Sequence, residues 1–169
     1  DLHLGHQNVI RYCKRPFENS ESMDCELARR WNNAVKNDDT VYFLGDFVFH
    51  GSPKYWKTNL KGRKTFIRGN HDHKLNGTVH DKVIEHKGFR FYLVHNPYEI
   101  PPDWKDWVLY GHEHNNNLSK FPFIDGDRKR INVSVEVIDY RPLNLDHLIS
   151  LDLPNIRWKE TLRSPTEYR

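Results

Sequence analysis

A chain of 169 residues with 37% hydrophobic and 29% charged side chains and a mean hydropathy of -0.85 is too apolar for a disordered segment and has the size of a single domain, residues 1–169, with a core of its own. The net charge of +3 is too small to mark an extended nucleic-acid surface, and Cys13 and Cys25 form neither a disulfide framework nor a thiolate metal pattern, so both read as buried or half-buried thiols. No apolar run approaches the ~20 residues of a membrane span and no signal-peptide pattern opens the chain, which favours a cytoplasmic protein without a membrane partner.

The chain opens at Asp1 without an initiator Met. Functional side chains of open α/β sheets sit just after core strands, so a strand is expected before Asp1. Asp1-Leu2-His3 sets a carboxylate and an imidazole two positions apart, on one side of an extended segment. Asn8 to Cys13 reads as a short helix closed at Arg15-Pro16, because the residue before a proline is pushed out of helical geometry. His6 and Asn8 either cap that helix or line a cleft. Ser22 is the expected cap of the next helix, where Met23, Leu27, Trp31, Ala34 and Val35 recur at helical spacing.

Thr40 to Leu44 is a β-branched and aromatic run without alternation, the signature of a buried strand, and it ends at Gly45-Asp46. Pro53 to Leu60 reads as helix, and Lys64 to Ile67 as a second buried strand ending at Gly69-Asn70-His71-Asp72. This is a βαβ rhythm. The second half changes character: Lys82–Glu85, Phe89–Val94, Trp107–Tyr110 and Ile131–Val137 read as strands of a second sheet. Pro101-Pro102 breaks a loop, Asp125-Gly126 followed by Arg128-Lys129-Arg130 reads as a charged hairpin turn, and Leu145 to Ser150 reads as a short final helix. Trp104, Trp107 and Phe121 read as core in preference to a base-stacking surface.

Five strand ends are decorated alike. Asp1 and His3 are joined by Asp46, by Asn70, His71 and Asp72, by His95, and by His112 and His114. Singly, a strand-end Asp is more often a turn former and a strand-end His more often a hydrogen-bonded surface residue. Together they are oxygen and nitrogen donors with no sulfur, in the number that two five- or six-coordinate divalent cations require.

The ordered series D-L-H, G-D, G-N-H-D, H and G-H-E-H resembles the calcineurin-like metallophosphoesterase superfamily, with every signature motif present between Asp1 and His114. The stretches HQNVIRYCKRPF and NVSVEVIDYRPLNLDHL are also similar to those of small single-domain bacterial and phage members. The resemblance implies an α/β/β/α sandwich of two facing mixed sheets flanked by helices, with metals at the strand ends. It implies that Asp1, His3 and His114 hold one divalent ion, that Asn70, His95 and His112 hold a second, and that Asp46 bridges them. Manganese is favoured among Mn, Fe, Zn, Ni and Co. Such a pair acidifies a bridging water, from a pKa of about 15.7 towards about 7, so that hydroxide attacks phosphorus in line with the leaving oxygen. His71 is the candidate general acid, because imidazole is the side chain suited to giving up a proton near neutral pH. Asp72 either orients His71 or caps a turn.

Substrate contacts are expected from Asn70, Arg68 and His50. Arg11 and Arg15 read as solvated in preference to phosphate-binding. His50 lies four positions after Asp46, whereas nuclease-like members carry a His three after, and this offset speaks against a nuclease. The expected substrate is therefore a small, nucleotide-like phosphate ester. A nuclease acting on DNA or RNA and a non-catalytic scaffold of the same fold are the alternatives.

Overall fold

Residues Thr40–Leu44 form strand β1 and Arg63–Ile67 form β2, paired in parallel with Thr40 opposite Arg63 and Leu44 opposite Ile67. The computed structural model describes residues 1–162. The two-residue strand β3, Thr78–Val79, adds to the far side of β2. Between β1 and β2 the chain crosses over through helix α3, Pro53–Asn59, started by a proline in its first turn and by the Ser52 hydroxyl, which accepts from the Tyr55 amide. Both strands are exposed at their first residue and buried at their last two, so it is their carboxyl ends that enter the core.

The second sheet holds six strands in the order β4 (Asp81–His86), β5 (Phe89–Val94), β6 (Trp107–Tyr110), β8 (Arg130–Asn132), β7 (Ile124–Asp125) and β9 (Trp158–Lys159). β4 and β5 are an antiparallel hairpin, while β5, β6 and β8 run parallel. Side chains alternate with the strand period of two. Phe91, Leu93, Trp107 and Leu109 join Leu44 and Ile67 in the core between the sheets. Tyr92, Val94, Val108 and Tyr110 form a separate cluster on the opposite face.

The outer face of the small sheet is covered by helices α1 (Gln7–Tyr12) and α2 (Ser20–Ala34), whose Val9, Met23, Leu27 and Trp31 pack on Phe43 and Phe66. The α2 cap is Asn19, one turn ahead of the expected Ser22. Asn19 accepts from the Ser22 amide and Ser22 returns a bond to the Asn19 backbone, so Ser22 is the reciprocal partner in a capping box. On the outer face of the larger sheet, among the described residues, a 3-10 turn at Pro97–Glu99 and loops carrying Ile100, Trp104 and Phe121 form the cover. Helix α4, Leu145–Ser150, places Leu148 in the layer between the sheets. No described helix is long and apolar enough to cross a membrane.

Two expectations are corrected. Ile131 to Val137 is not one strand: β8 stops at Asn132, and Ser134 to Tyr140 curls into turns closed by Val137 and Ile138 amides donating to the Ser134 carbonyl and by Tyr140 donating to Val135. The physical reason is that Asn132, Ser134 and Glu136 are polar yet buried, and straight pairing would deny them partners. Cys25 is exposed rather than buried; Cys13 is buried as expected. The charged hairpin is present, with Asp125 accepting from the Arg128 amide and guanidinium between β7 and β8. Trp107 is in the core between the sheets, and Trp104 and Phe121, partly buried, pack on the Tyr92–Tyr110 cluster of the opposite face.

Candidate metal centre

Each expected ligand segment leaves a strand or its equivalent and turns at once. Asp46 follows β1, His71 and Asp72 follow β2, His95 follows β5, and His112 and His114 follow β6. The Asp1–His3 segment lies beside the Asp46 loop, with His3 N–H donating to the Asp46 carbonyl at 3.0 Å and Leu4 N–H to that of Phe47 at 3.1 Å. Four of these residues, His3, Asp46, His112 and His114, have left-handed backbones with φ of 53°, 54°, 71° and 50°. A non-glycine residue pays for that conformation and holds it only where the surroundings fix it, a pattern concentrated at functional sites.

The side chains converge. Asp46 Oδ2 lies 3.4 Å from His3 Nε2 and 3.5 Å from His95 Nε2. His95 Nε2 is in turn 3.2 Å from His112 Nδ1. The His3 and His114 ring centroids are 5.1 Å apart. Asp1, His3 and His114 each offer one donor atom within 4.8 Å of the others, and so do Asp1, Asp46 and His95. Asp1 Oδ1 and both ring nitrogens of His3 are buried without a hydrogen-bond partner. Buried polar atoms are almost always satisfied, so Asp1 Oδ1 and one His3 nitrogen mark a place that a cation fits; the two nitrogens of one imidazole point apart and only one can face it. The donor set of carboxylates and imidazoles suits divalent metals.

Electrostatics agree. Burial pushes His3 down to about 3 and also lowers His95 and His112, so these rings are neutral and present lone pairs. Burial alone would raise Asp46, but the neighbouring imidazoles of His3 and His95 and the His71 amide hold its carboxyl below the usual range. Burial pushes His114 down, but Glu136 and Cys13 together outweigh it and raise His114 to about 9.

Glycine makes the approach close enough. A Cβ on Gly69 would come within 2.2 Å of the Asp46 amide nitrogen, and one on Gly45, itself left-handed at φ +89°, within 2.3 Å of His95 Nδ1. Asp72 then ties the two turns together. Its Oδ2 accepts from Asp46 N–H and Gly69 N–H, both at 2.8 Å, and its Oδ1 from Phe47 N–H at 2.9 Å. Of the two roles open to Asp72, this geometry is that of the turn cap. Asp46 Oδ1 accepts from His71 N–H at 2.8 Å, which leaves Oδ2 for the His3 and His95 side.

His71 is exposed beside this group, its ring centroid 5.4 Å from His3 and 5.2 Å from Phe49. Asn70, Arg68 and His50 are exposed at the ends of the same loops. His6 stacks on Phe49 with centroids 3.8 Å apart, so of its two readings it is a wall of the cleft, and its ring lies 5.4 Å from His3. Arg11 is exposed, as read.

Sequence reasoning missed three residues. Arg15 is buried, not solvated, and forms an ion pair with Glu136 at 2.7 Å in which both side chains are wholly shielded. Glu136 meets His114 Nδ1 at 3.1 Å. Ser134 donates its hydroxyl to Asp1 Oδ2, which also accepts from His112 N–H. The available signal was N-x-S-x-E alternating with valines, polar positions inside an otherwise apolar run.

The chain is similar to several known proteins. An uncharacterised protein of Methanocaldococcus jannaschii is 45% identical over 159 residues, which cover 89% of this chain and 87% of that protein. The gene 66 protein of Mycobacterium phage L5 is 37% identical over 91 residues, 49% of this chain and 43% of the phage protein. The crystal structure of a protein of unknown function from Aquifex aeolicus shares 25% identity and a TM-score of 0.66, covering 89% of this chain and 95% of that one. The family model for calcineurin-like phosphoesterases matches residues 1–168, and with the motifs at the strand ends of two facing sheets the chain belongs to that family.

Proposed function

We propose that this single-domain protein is a dinuclear metal-dependent hydrolase of small, nucleotide-like phosphate esters. The observation that carries the reading is the unpartnered, buried Asp1 Oδ1 grouped with His3 and His114, with Asp46 Oδ2 midway between His3 and His95. Asp1, His3 and His114 would hold one ion, Asn70, His95 and His112 the other, and Asp46 would serve both; manganese is the first ion to test. Two such cations supply an acidified water and neutralise charge on the phosphoryl oxygens.

The chain's own residues do the rest. The neutral rings of His3, His95 and His112 keep their lone pairs directed inward, and the His71 amide fixes Asp46 through Oδ1. The His71 side chain, exposed over His3, donates the proton that the leaving oxygen needs. Asn70, Arg68 and His50 at the rim contact the substrate phosphate. The Phe49–His6 stack walls one side and limits water access. Free Cys25 on the surface suits a reducing compartment, and the cytoplasm is the proposed location.

The test is a panel of esters hydrolysed by manganese-loaded protein: p-nitrophenyl phosphate, bis-p-nitrophenyl phosphate, cyclic and linear nucleotides, and single- and double-stranded DNA. Turnover of small esters is expected. His71→Ala should lose ~10²–10⁴-fold in turnover with its metal content intact, and Asp46→Asn should lose both turnover and metal. Full activity in both variants overturns the mechanism, and exclusive cleavage of polymeric DNA overturns the substrate class in favour of a nuclease.

A further inference from the structure

The two groups of expected ligands are supported in different ways. His95 directs Nδ1 to a neutral acceptor, the Leu44 carbonyl, at 2.8 Å. His114 directs Nδ1 to a carboxylate, Glu136, at 3.1 and 3.2 Å from its two oxygens. Glu136 is held by Arg15, whose Nε donates to Oε1 at 2.8 Å. The same guanidinium donates from Nη1 to the Leu2 carbonyl at 2.7 Å and from Nη2 to the Asp1 carbonyl at 2.9 Å. One buried cation thus spans the backbone that carries Asp1 and His3 and the carboxylate that holds His114. The partners are 121 residues apart in sequence.

We propose that Glu136, locked by Arg15, is the positioning residue of the Asp1–His3–His114 metal position and of that position alone. The proposal rests on the dinuclear reading above. A carboxylate on the remote nitrogen fixes the tautomer, orients the ring and makes the near nitrogen a stronger donor than a carbonyl does. Cys13, His114 and Glu136 also lie within 4.8 Å of one another. With Glu136 already engaged by Arg15, that grouping is a hydrogen-bond relay behind His114 and not a third cation site. Arg15 is shielded from any substrate and acts only through Glu136 and the two carbonyls.

The experiment is calorimetric titration of chelator-treated protein with MnCl2, arranged as double-mutant cycles. Wild-type protein should show two binding events. Glu136→Gln should weaken one of them by ~10- to 100-fold and leave the other within about twofold. In a His95→Ala background the remaining event should be the sensitive one, and in a His114→Ala background Glu136→Gln should have no effect on what remains. Manganese EPR at limiting metal should then show isolated ions in Glu136→Gln where the wild type shows a coupled pair. If Glu136→Gln does not fold because Arg15 is left unpaired, the Arg15→Met/Glu136→Met double variant removes both charges and is read the same way. Equal weakening of both events, or of neither, overturns the proposal. Wild-type protein that takes up no manganese instead overturns the dinuclear reading, whatever Glu136 does.

Discussion

The ligand loops of the small sheet and those gathered around β8 reach the same point by opposite means. Asp46 and His71 are set by backbone: two glycines at van der Waals limits and one carboxylate, Asp72, taking three amides that all lie within 26 residues of it. Asp1, His3 and His114 are set by charge: the Arg15–Glu136 pair and Ser134, which reaches Asp1 from 133 residues away. Local backbone packing resists solvent conditions but tolerates almost no substitution. Long-range charge pairing places distant segments together but fails when either partner loses its charge, because the other is left buried and unpaired.

The largest effect should come from the backbone-set half. Gly69→Ala puts a methyl 2.2 Å from the Asp46 nitrogen and 2.3 Å from Asp46 Oδ1. About 4 kcal/mol or more of stability should be lost, a fall of roughly 10 °C in Tm for a domain of this size, together with manganese uptake. A scanning-calorimetry trace within 2 °C of wild type would show that the loop has slack. Asp72→Ala should follow at about 3 kcal/mol by urea unfolding, since three buried amides lose their acceptor. A loss below about 1 kcal/mol would mean that water replaces the carboxylate.

The smallest effect belongs to the charge-set half. Asp24 on α2 accepts from Gly5 N–H with both oxygens, anchoring the chain just past His3. Burial raises its pKa from 3.8 to about 6, offset in part by that amide and by Arg15. The folded state therefore favours the protonated form, and the contribution is complete below 3.8 and lost as pH rises through about 6. Asp24→Asn, half-buried and still an acceptor, should be the more stable protein above pH 6 by about 1 kcal/mol, with the difference vanishing near pH 4. Parallel stability curves for the two proteins would remove charge from the account of this loop.

The same contrast explains what was legible in the sequence. Thr40–Leu44, Phe89–Val94, Trp107–Tyr110 and Leu145–Ser150 were readable to the residue, because apolar runs and helical spacing are local signals. The ligand loops were readable as motifs because each glycine and its polar neighbour are adjacent. β3, β7 and β9 have two residues each, too few for a period. Arg15 and Glu136 escaped because nothing near either one announces the other, and N-x-S-x-E looks like the wet face of a strand until the turn at Ser134 buries it. Asp72 was legible with two open roles, orienting His71 or capping a turn, and the choice depends on amides from another loop.

His3, Asp46, His112 and His114 all sit in left-handed backbone. A β-branched side chain is crowded there by its own backbone, so Val or Thr at any of the four adds a conformational cost to the lost donor, and Asn, which tolerates that region, is the gentlest replacement.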